Sequence, residues 1–405
     1  MPKPLEGIRV LDWTIWQQGP VSTMMLGDLG AEVIKLEERV GGDPGRGVMS
    51  IGGASTSAAG QKNYYFEANN RHKKSLTLNL KTPEAREIVY KLVEKSDVFV
   101  QNFRKGVAGK LGLGYEALSK YNPKLIYASA TGYGPEGPDS GEPSFDYMGL
   151  ARSGIMNAIG EPNMEPMNIA GGIADQMGAI MLAYGVITAL FARERFGVGQ
   201  EVDTSHLGSM MMLQGLNLSS RLILGKEFRR AYRTKAPNPL WNHYKCSDGQ
   251  WVCLAMIQAD RYWPDFCKAL GIKELEKDER FANMAIRTKN AEALIAVLDQ
   301  RFASKSRDEW MSILKHGGDF IYTRVNTIND LPEDPQMLAN DYVVPYDHPT
   351  WGNVNIVGVP VRLSKTPGDP RGAAPEFGEH TEQILVDMLG YSWEDVGRMK
   401  EKEVI

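Results

Sequence analysis

Short hydrophobic runs alternate with amphipathic segments over the first 135 residues of the chain. The hydrophobic runs predict buried strands at 8–13, 31–36, 97–100 and 125–129. The segments between them predict helices at about 19–29, 82–96 and 115–120. Thr82-Pro83-Glu84 supplies a cap residue, a first-turn proline and an acid at the positive end of one helix. Strands separated by helices indicate a mostly parallel sheet covered on both faces, so the predicted fold class is α/β.

The remainder of the chain divides into regions that differ in composition and hydrophobic pattern. Glycine-rich stretches at 38–63 and 132–144 predict loops, followed by a long helix at about 176–195, a strand at 200–203 and a methionine-rich helix at 206–224. A basic and proline-containing segment begins near 225. We therefore predict a first part of a large α/β domain at 1–224, a smaller domain with linkers at 225–330, and a C-terminal part at 331–405. Within that last part we predict strands at 353–357 and 359–363 and a helix near 379–390.

Charge and composition narrow the classes of partner. The 405 residues carry 46 Lys+Arg against 50 Asp+Glu, a formal net charge of −4, and 42% are hydrophobic. These are the proportions of an ordinary soluble globular protein. A nearly neutral chain lacks the basic face of a general nucleic-acid binder, although a few local cations can still hold an anionic small molecule.

Cysteine usage and the apolar runs indicate a cytoplasmic location. The three cysteines form no C-x-x-C pair, so a disulfide framework is not predicted. Residues 1–6 lack the apolar segment of a signal peptide. The longest nearly uncharged apolar run, 178–192, has fifteen residues and is shorter than the ~18–20 needed to span a bilayer. We predict a buried core helix there and no membrane partner.

Several familiar catalytic motifs are absent. The first strand is followed by T-I-W-Q-Q-G-P at 14–20 where a dinucleotide-binding protein has G-x-G-x-x-G. The chain has no G-x-x-x-x-G-K-[ST] phosphate loop and no G-x-S-x-G nucleophile elbow. The six histidines are scattered without metal-ligand spacing, so no metal site is predicted.

The segment Gly171-Gly172-Ile173-Ala174-Asp175 places one carboxylate at the start of the long apolar helix. Paired glycines let the backbone approach a ligand closely, and the helix N-terminus favours an ionised carboxylate and an anion that develops beside it. The plainer interpretation is that Asp175 is a helix cap, and the residues of this segment alone favour the cap.

Motifs along nearly the whole chain resemble class III CoA-transferases, the formyl-CoA transferase and CaiB/BaiF family. The residues that carry the likeness are Val10-Leu11-Asp12-Trp13-Thr14, Gly19-Pro20, Leu29 to Glu37, Asn70, Lys73 to Leu76, Leu78 to Lys81, Asn102-Phe103-Arg104, Gly132-Tyr133-Gly134, Gly197 to Gln200 and Gly378 to Thr381. The resemblance implies a Rossmann-like large domain, a smaller second domain and an interlocked homodimer. It also implies that Asp175 is a nucleophile, that acyl-CoA and a carboxylic acid are the substrates, and that no cofactor is tightly bound.

The same resemblance assigns further site residues. Gln17 matches an active-site glutamine of the family, and Asp146 matches an acid near the nucleophile. On the residues alone, Gln17 could equally pack against Trp16 as a loop residue, and Asp146 could equally be a turn residue. The positions that match the CoA path of the family are Arg39, Lys73, Lys74, Asn102, Phe103, Arg104 and Lys110.

Two alternatives to a CoA-transferase stay open at this point, an acyl-CoA racemase on the same fold and a non-catalytic acyl-CoA-binding protein. Racemases of the superfamily carry Gly-His-Asp where this chain has Ser144-Phe145-Asp146, and phenylalanine exchanges no proton. The glycine-rich loop of formyl-CoA transferases has no counterpart at 238–242. The candidate apolar lining consists of Trp13, Trp16, Met49 and 210–212, and it favours an acid that is larger or less polar than oxalate. Methionines at helical spacing are more often core than pocket residues.

Overall fold

The computed structural model describes residues 1–51, 54–57 and 62–405, which form two compact units. The larger unit contains 1–156, 168–226 and 335–405, and the smaller one contains 157–167 and 227–334. The sequence-based boundaries at 224/225 and 330/331 compare with 226/227 and 334/335 here. Residues 157–167, which the sequence-based division assigns to the large domain, belong to the smaller unit.

The larger unit is built on a sheet of six parallel strands in the order β5-β2-β1-β6-β7-β8. The strands are β1 Arg9–Trp13, β2 Glu32–Glu38, β5 Lys73–Leu78, β6 Val98–Gln101, β7 Ile126–Thr131 and β8 Gln200–Ser205. When the six strands are numbered in chain order, this is the doubly wound order 3-2-1-4-5-6. The strand order reverses between β1 and β6. The predicted parallel α/β sheet is confirmed.

Helices and short strands complete the larger unit. The helices are α1 Gln18–Asp28, α2 Tyr64–Asn70, α3 Pro83–Val93, α4 Val107–Lys110, α5 Tyr115–Leu118, α6 Asp146–Ser153, α7 Ile155–Ala158 (which runs into the smaller unit), α8 Ile173–Phe196, α9 His206–Leu213, α10 Gly215–Leu224, α15 Pro335–Ala339, α16 Thr381–Gln383 and α17 Trp393–Glu401. The short strands are β3 Ser50–Ile51, β4 Ala54–Ser55, β12 Val343–His348 and β13 Gly352–Val357.

Side-chain alternation along the strands buries both faces of the sheet. On β1, Leu11 joins a cluster with Ile88 and Leu92 of α3, whereas Val10 joins a cluster with Leu182 and Val186 of α8. Period-2 alternation sends neighbouring residues to opposite faces, so helices are required on both. Ile384, Leu385 and Val396 belong to the α3 cluster, so the C-terminal part returns to the large unit.

The smaller unit has its own core around a three-stranded antiparallel sheet. Its elements are β9 Trp241–Lys245, β10 Trp251–Ala255, α11 Ala259–Leu270, α12 Met284–Lys289, α13 Ala291–Phe302, α14 Arg307–Gly317 and β11 Tyr322–Val325. Trp263, Phe302 and Trp310 are fully or almost fully buried in its core. A separate core of this size is what a separate domain requires.

Several sequence-based expectations differ from the structure. The strand predicted at 359–363 is wrong, because these residues are described without strand pairing and β13 pairs with β12. Strand β5 and helix α6 were not predicted, and the methionine-rich helix is divided at Gln214 into α9 and α10. The predicted helix at 379–390 consists of α16 and a π-helical turn, Ile384–Met388. Residues 52–53 and 58–61 of the predicted loop at 38–63 lie outside the described residues.

Helix α8 has 24 residues and, among the described residues, is the one helix long and apolar enough by length and composition to cross a bilayer. One face of it packs on the sheet through Leu182, Val186 and Leu190. The opposite face exposes an apolar stripe, hereafter the α8 stripe, formed by Ile180, Tyr184, Ile187 and Phe191. A half-buried helix of this kind is a core helix with an uncovered side.

Candidate active site

The carboxyl ends of the sheet strands surround a cavity of about 330 Å³. Doubly wound sheets bind ligands at this edge, where the strand order reverses, because the loops after neighbouring strands diverge there. The loops after β1, β6, β7 and β8 all contribute. The lining residues are Ile15, Trp16, Gln18, Asn102 to Lys105, Val107, Ala130 to Gly132, Ser140, Glu142, Ser144, Phe145, Asp175 and His206.

Asp175 reaches this cavity from the first turn of α8. The chain enters the helix through Gly171 and Gly172, which have φ angles of 98° and 68°. The left-handed backbone favours glycine at both positions, and a Cβ atom on Gly172 would lie 2.5 Å from Gln17 Nε2 and displace that side chain. The Asp175 side chain is 16% exposed and lies at the positive end of the helix dipole.

The N-terminus of α8 is capped by Asp146 and not by Asp175. Oδ1 of Asp146 accepts hydrogen bonds from the backbone N–H groups of Ala174, at 2.6 Å, and Asp175, at 3.1 Å. Gly172 occupies the N-cap position. Burial and the nearby Asp175 carboxylate raise the pKa of Asp146 above its usual range, although the two N–H donors act against the rise. The interpretation of Asp175 as a helix cap is therefore wrong, and its side chain is available for another role.

That side chain is paired with a histidine. His206 Nε2 is 2.8 Å from Asp175 Oδ1, and His206 Nδ1 is 3.4 Å from Ser144 Oγ. The histidine is the first residue of α9, directly after β8, and Ser205 caps α9 by accepting the N–H of Gly208. The site thus contains an imidazole although residue 145, where racemases have histidine, is phenylalanine.

Two neighbouring glutamines occupy different positions. Gln17 Nε2 donates to the carbonyl oxygen of Gly171 at 3.5 Å, so Gln17 packs against the turn before α8. Gln18 is buried, lines the cavity and lies against Gly178. Trp16 precedes them with a φ of 66°, and its N–H donates to Asp43 Oδ1 at 3.1 Å. Left-handed backbone at a bulky residue is uncommon and clusters at functional sites.

Buried ion pairs hold the loop after β1 in place. Lys35 Nζ donates to the carbonyl oxygen of Thr14 at 2.8 Å and pairs with Asp43, at 2.8 Å. Asp12 pairs with Lys73 at 2.7 Å, and all four charged side chains are fully buried. Although burial raises the pKa of Asp12, the lysines outweigh it and hold that pKa below its usual range.

The residues predicted along a CoA path fall into two groups. Asn102, Phe103 and Arg104 follow β6 and line the cavity. The Asn102 side chain bonds both the N–H and the carbonyl of Ile15, Phe103 packs on Trp13 with ring centroids 4.2 Å apart, and Arg104 is exposed. Lys110 is exposed at the end of α4.

Lys73, Lys74 and Arg39 are engaged elsewhere. The three donors of Lys73 Nζ are taken by Asp12, Asn70 and the carbonyl oxygen of Pro20, at 2.7–2.9 Å, and burial lowers its pKa to about 8. Lys73 therefore has no donor left for a CoA phosphate, which corrects its assignment to the CoA path. Lys74 pairs with Glu32 at 2.7 Å near the amino end of the strands, and Arg39 Nε donates to the main-chain oxygen of Ile405 at 2.9 Å.

Comparison with known proteins identifies the family. A model described as CoA-transferase family III matches residues 5–381. The chain belongs to CoA-transferase family III. It is 31% identical to (R)-2-hydroxy-4-methylpentanoate CoA-transferase of Clostridioides difficile, over 99% of both chains, and 33% identical to succinyl-CoA:glutarate CoA-transferase of Homo sapiens, over 100% of this chain and 90% of the relative. A crystal structure of a CaiB/BaiF family protein from Brucella suis matches with a TM-score of 0.82 and 32% identity, over 96% of this chain and 100% of that one.

Family III membership confirms the resemblance drawn from the sequence motifs, and with it an enzyme of the CoA-transferase type that uses CoA thioesters. Three residues of this transferase's site were missed: His206, Gln18 and Lys105, which lies beside Arg104 on the cavity. The sequence offers one signal for His206, its place directly after a strand. That signal is insufficient because β8 is an edge strand and the sequence does not show which elements lie beside it.

Of the six residues of the proposed apolar lining, the structure places one on the cavity and five elsewhere. Trp16 lines the cavity of the transferase and meets Phe145 edge-to-face, with ring centroids 6.1 Å apart. Trp13 and Met210 are buried in core clusters, while Met49, Met211 and Met212 are exposed. The aromatic wall of the cavity therefore consists of Trp16, Phe103 and Phe145.

Proposed function

We propose that the enzyme moves CoA from an acyl-CoA donor to a carboxylic acid acceptor through covalent intermediates on Asp175. The observation that carries this is a carboxylate that opens on the cavity while its helix is capped by a different acid, Asp146. A carboxylate placed in this way is free to act as a nucleophile. Asp146 fixes the backbone of Ala174 and Asp175 and so positions the nucleophile.

The steps balance without an external proton or electron. Oδ2 of Asp175 attacks the thioester carbonyl, the carbon–sulfur bond breaks, and CoA leaves as a thiolate from a mixed anhydride. The thiolate attacks the aspartyl carbonyl, the donor acid leaves as a carboxylate, and aspartyl-CoA remains. The acceptor carboxylate then attacks aspartyl-CoA and displaces the thiolate, which gives a second mixed anhydride. The thiolate attacks the acceptor carbonyl of that anhydride, so the acceptor leaves as its CoA thioester and the Asp175 carboxylate is restored.

The exposed cations after β6 provide the place for CoA. We propose that Arg104 and Lys105 on the cavity, and Lys110 on α4, face its phosphates, and that Phe103 contacts the adenine. Lys105 Nζ also donates to the carbonyl oxygen of Pro135 at 2.5 Å, which ties this loop to the loop after β7. No tightly bound cofactor enters the proposed reaction.

The acyl group faces the aromatic wall. Trp16 and Phe145 present apolar ring surface near Asp175, which favours a branched or aromatic acid over a small dicarboxylate such as oxalate. The relatives named for 2-hydroxy-4-methylpentanoate and glutarate show that acids of both kinds occur on this fold. A panel of branched, aromatic and dicarboxylic acids, with product CoA thioesters identified by mass spectrometry, decides which acid is used.

We further propose that two chains form an interlocked homodimer in the cytoplasm. The α8 stripe is apolar and exposed, and each side chain of α10 is at least partly exposed, including Leu216, Ile223 and Leu224. Apolar surface on this scale marks an interface. The three cysteines are free thiols, as a reducing compartment would keep them.

Hydroxylamine trapping tests the proposed nucleophile. Enzyme incubated with an acyl-CoA and then with hydroxylamine should carry a hydroxamate on Asp175, found in the tryptic peptide that spans 153–193. A hydroxamate on a different carboxylate would contradict the proposal.

A further inference from the structure

The imidazole of His206 is held against the side chain of the proposed nucleophile. Nε2 lies 2.8 Å from Asp175 Oδ1, and the two side chains are only 6% and 16% exposed. An ionised carboxylate accepts hydrogen bonds and cannot donate, so Nε2 carries the hydrogen of this contact. Nδ1 lies 3.4 Å from Oγ of Ser144, whose hydroxyl donates to the carbonyl oxygen of Phe145 at 3.3 Å.

The packing of three helices fixes the position of this ring. His206 begins α9, Asp175 lies in the first turn of α8, and Gly149 of α6 lies between them. A Cβ atom on Gly149 would be 2.7 Å from His206 Cβ and 2.9 Å from Ala174 Cβ. Because Gly149 packs this closely against His206 and Ala174, the Nε2–H group already points at Asp175 Oδ1 before the substrate binds.

We propose that His206 Nε2–H is the hydrogen-bond donor to the acyl oxygen of the covalent intermediates on Asp175, an inference that rests on the proposed function. In the free enzyme the contact holds Oδ1 and leaves Oδ2 as the attacking atom. Once Oδ2 is acylated, Oδ1 becomes the carbonyl oxygen of the aspartyl group, still facing the same donor.

The negative charge of the later steps develops on that same oxygen. When the CoA thiolate attacks Cγ of the mixed anhydride, a Cγ–S bond forms and the charge passes to Oδ1 in the tetrahedral intermediate. The Cγ–Oδ2 bond then breaks, and its electron pair leaves with the donor carboxylate. Attack of the acceptor carboxylate on aspartyl-CoA places the charge on Oδ1 again, with the thiolate as the leaving group. His206 keeps its proton throughout, and removal of one such donor typically lowers kcat by about 10²–10³-fold.

Two variants of His206 separate a donor from a packing residue. We expect His206→Ala to lower kcat by about 10²-fold with the KM for acyl-CoA changed less than about threefold. The contact is present with and without bound substrate, and it strengthens when the negative charge develops on Oδ1. His206→Gln keeps an N–H donor and should recover most of that loss. His316→Gln, an exposed position on α14, is the matched control and should behave as the wild type.

Rapid-quench mass spectrometry shows which step changes. In His206→Ala, aspartyl-CoA should break down in the presence of acceptor acid about 10²-fold more slowly than in wild type. Should the alanine variant fail to fold, the same measurement on His206→Gln against His206→Leu replaces it, and only the glutamine variant should retain fast breakdown.

The outcomes distinguish this inference from the proposed function. Absence of any Asp175 adduct in the wild-type enzyme overturns the proposed function itself. An Asp175 adduct whose breakdown is as fast in His206→Ala or His206→Leu as in wild type overturns the role of His206 alone. Equal losses in the glutamine and alanine variants, with KM and stability changing together, assign His206 to packing and also overturn the inference.

Discussion

Asp146 and Asp175 are 29 residues apart in sequence, yet Asp146 Oδ1 accepts the backbone N–H of Asp175 at 3.1 Å. The same oxygen accepts the N–H of Ala174 at 2.6 Å. One acid therefore performs the capping that the other, by its place in the helix, would be expected to perform. This division leaves the Asp175 carboxylate free to face His206 and the cavity.

Removal of the cap should reduce activity more than stability. Asp146→Ala deletes the acceptor of two N–H groups, and loss of a helix cap typically lowers the free energy of unfolding by about 1 kcal/mol. Because the first turn of α8 carries the nucleophile, we expect kcat to fall by about tenfold to 10²-fold. Asp146→Asn keeps an oxygen acceptor and should lose less of both. Urea unfolding and steady-state kinetics measure the two effects, and wild-type kcat in Asp146→Ala would contradict the positioning role.

Replacement of the nucleophile should reduce activity much further than removal of the cap, again at little cost in stability. Asp175→Asn keeps the shape of the side chain and an oxygen that can accept from His206, so its cost in stability should be at most about 1 kcal/mol. An amide is a very poor nucleophile, so CoA transfer should fall by several decades while CoA binding stays nearly unchanged. Calorimetric titration with CoA and a CoA-exchange assay check both expectations. Near-normal turnover would exclude Asp175 as the nucleophile.

The sheet could be predicted from sequence because its signals are local. Strands β1, β2, β6 and β7 each contain a short run of apolar residues, and Thr82 with Pro83 marks the start of α3. Strand β5 was missed because it begins with Lys73 and Lys74, whose charges are typical of a surface. Lys73 can be buried because its ammonium group pairs with Asp12, which is 61 residues away in sequence.

The candidate site was predictable only where family motifs supply it. Asp175 alone is indistinguishable from a cap, since the acid that replaces it in that role comes from α6. The contact between His206 and Asp175 depends on the pairing of β8 with β7 and on the place of α9 beside α8, both of which are tertiary. The spacing of 31 residues between Asp175 and His206 does not predict that the two side chains are in contact.

We expect no racemase activity. Exchange at an α-carbon requires an acid and a base that face that carbon. In this site Phe145 exchanges no proton, Asp146 Oδ1 is occupied by two N–H groups, and His206 Nε2 donates to Asp175. A 2-methylacyl-CoA incubated with enzyme in D₂O should therefore gain no α-deuterium by mass spectrometry. Rapid, stereorandom incorporation would mean that His206 leaves Asp175 and acts as a base.

The proposed homodimer should persist on dilution. An interlocked pair of chains cannot separate without unfolding, so mass photometry at nanomolar concentration should show a dimer and no folded monomer. Ile187→Arg places a charge on the α8 stripe and should lower the yield of folded dimer. Glu194→Gln, an exposed position on the same helix, is its control. A folded wild-type monomer at these concentrations would exclude the interlocked arrangement.

Acid sensitivity should depend on Glu37, which pairs with Arg46 beneath the loop after β2. Its Oε1 accepts from Arg46 at 2.7 Å and from Ser75 Oγ at 2.6 Å. Burial raises the pKa of Glu37, but Arg46, Lys35 and Ser75 outweigh it and lower that pKa from 4.5 to about 2. A carboxyl whose pKa is lower in the folded state stabilises the fold above its unfolded pKa and loses that stabilisation as the pH falls through the folded value.

The stabilisation by Glu37 should therefore be lost between pH 4.5 and about 2. The pKa difference corresponds to a contribution of Glu37 to the free energy of unfolding on the order of 3 kcal/mol. Glu37→Gln cannot titrate, so its free energy of unfolding should fall less steeply over this range. Urea unfolding of both proteins at several pH values between about 5 and 2.5 measures the two slopes. Glu194→Gln removes an exposed carboxylate of the same kind and should keep the wild-type slope. If Glu37→Gln also keeps that slope, the buried pair with Arg46 does not govern the acid response.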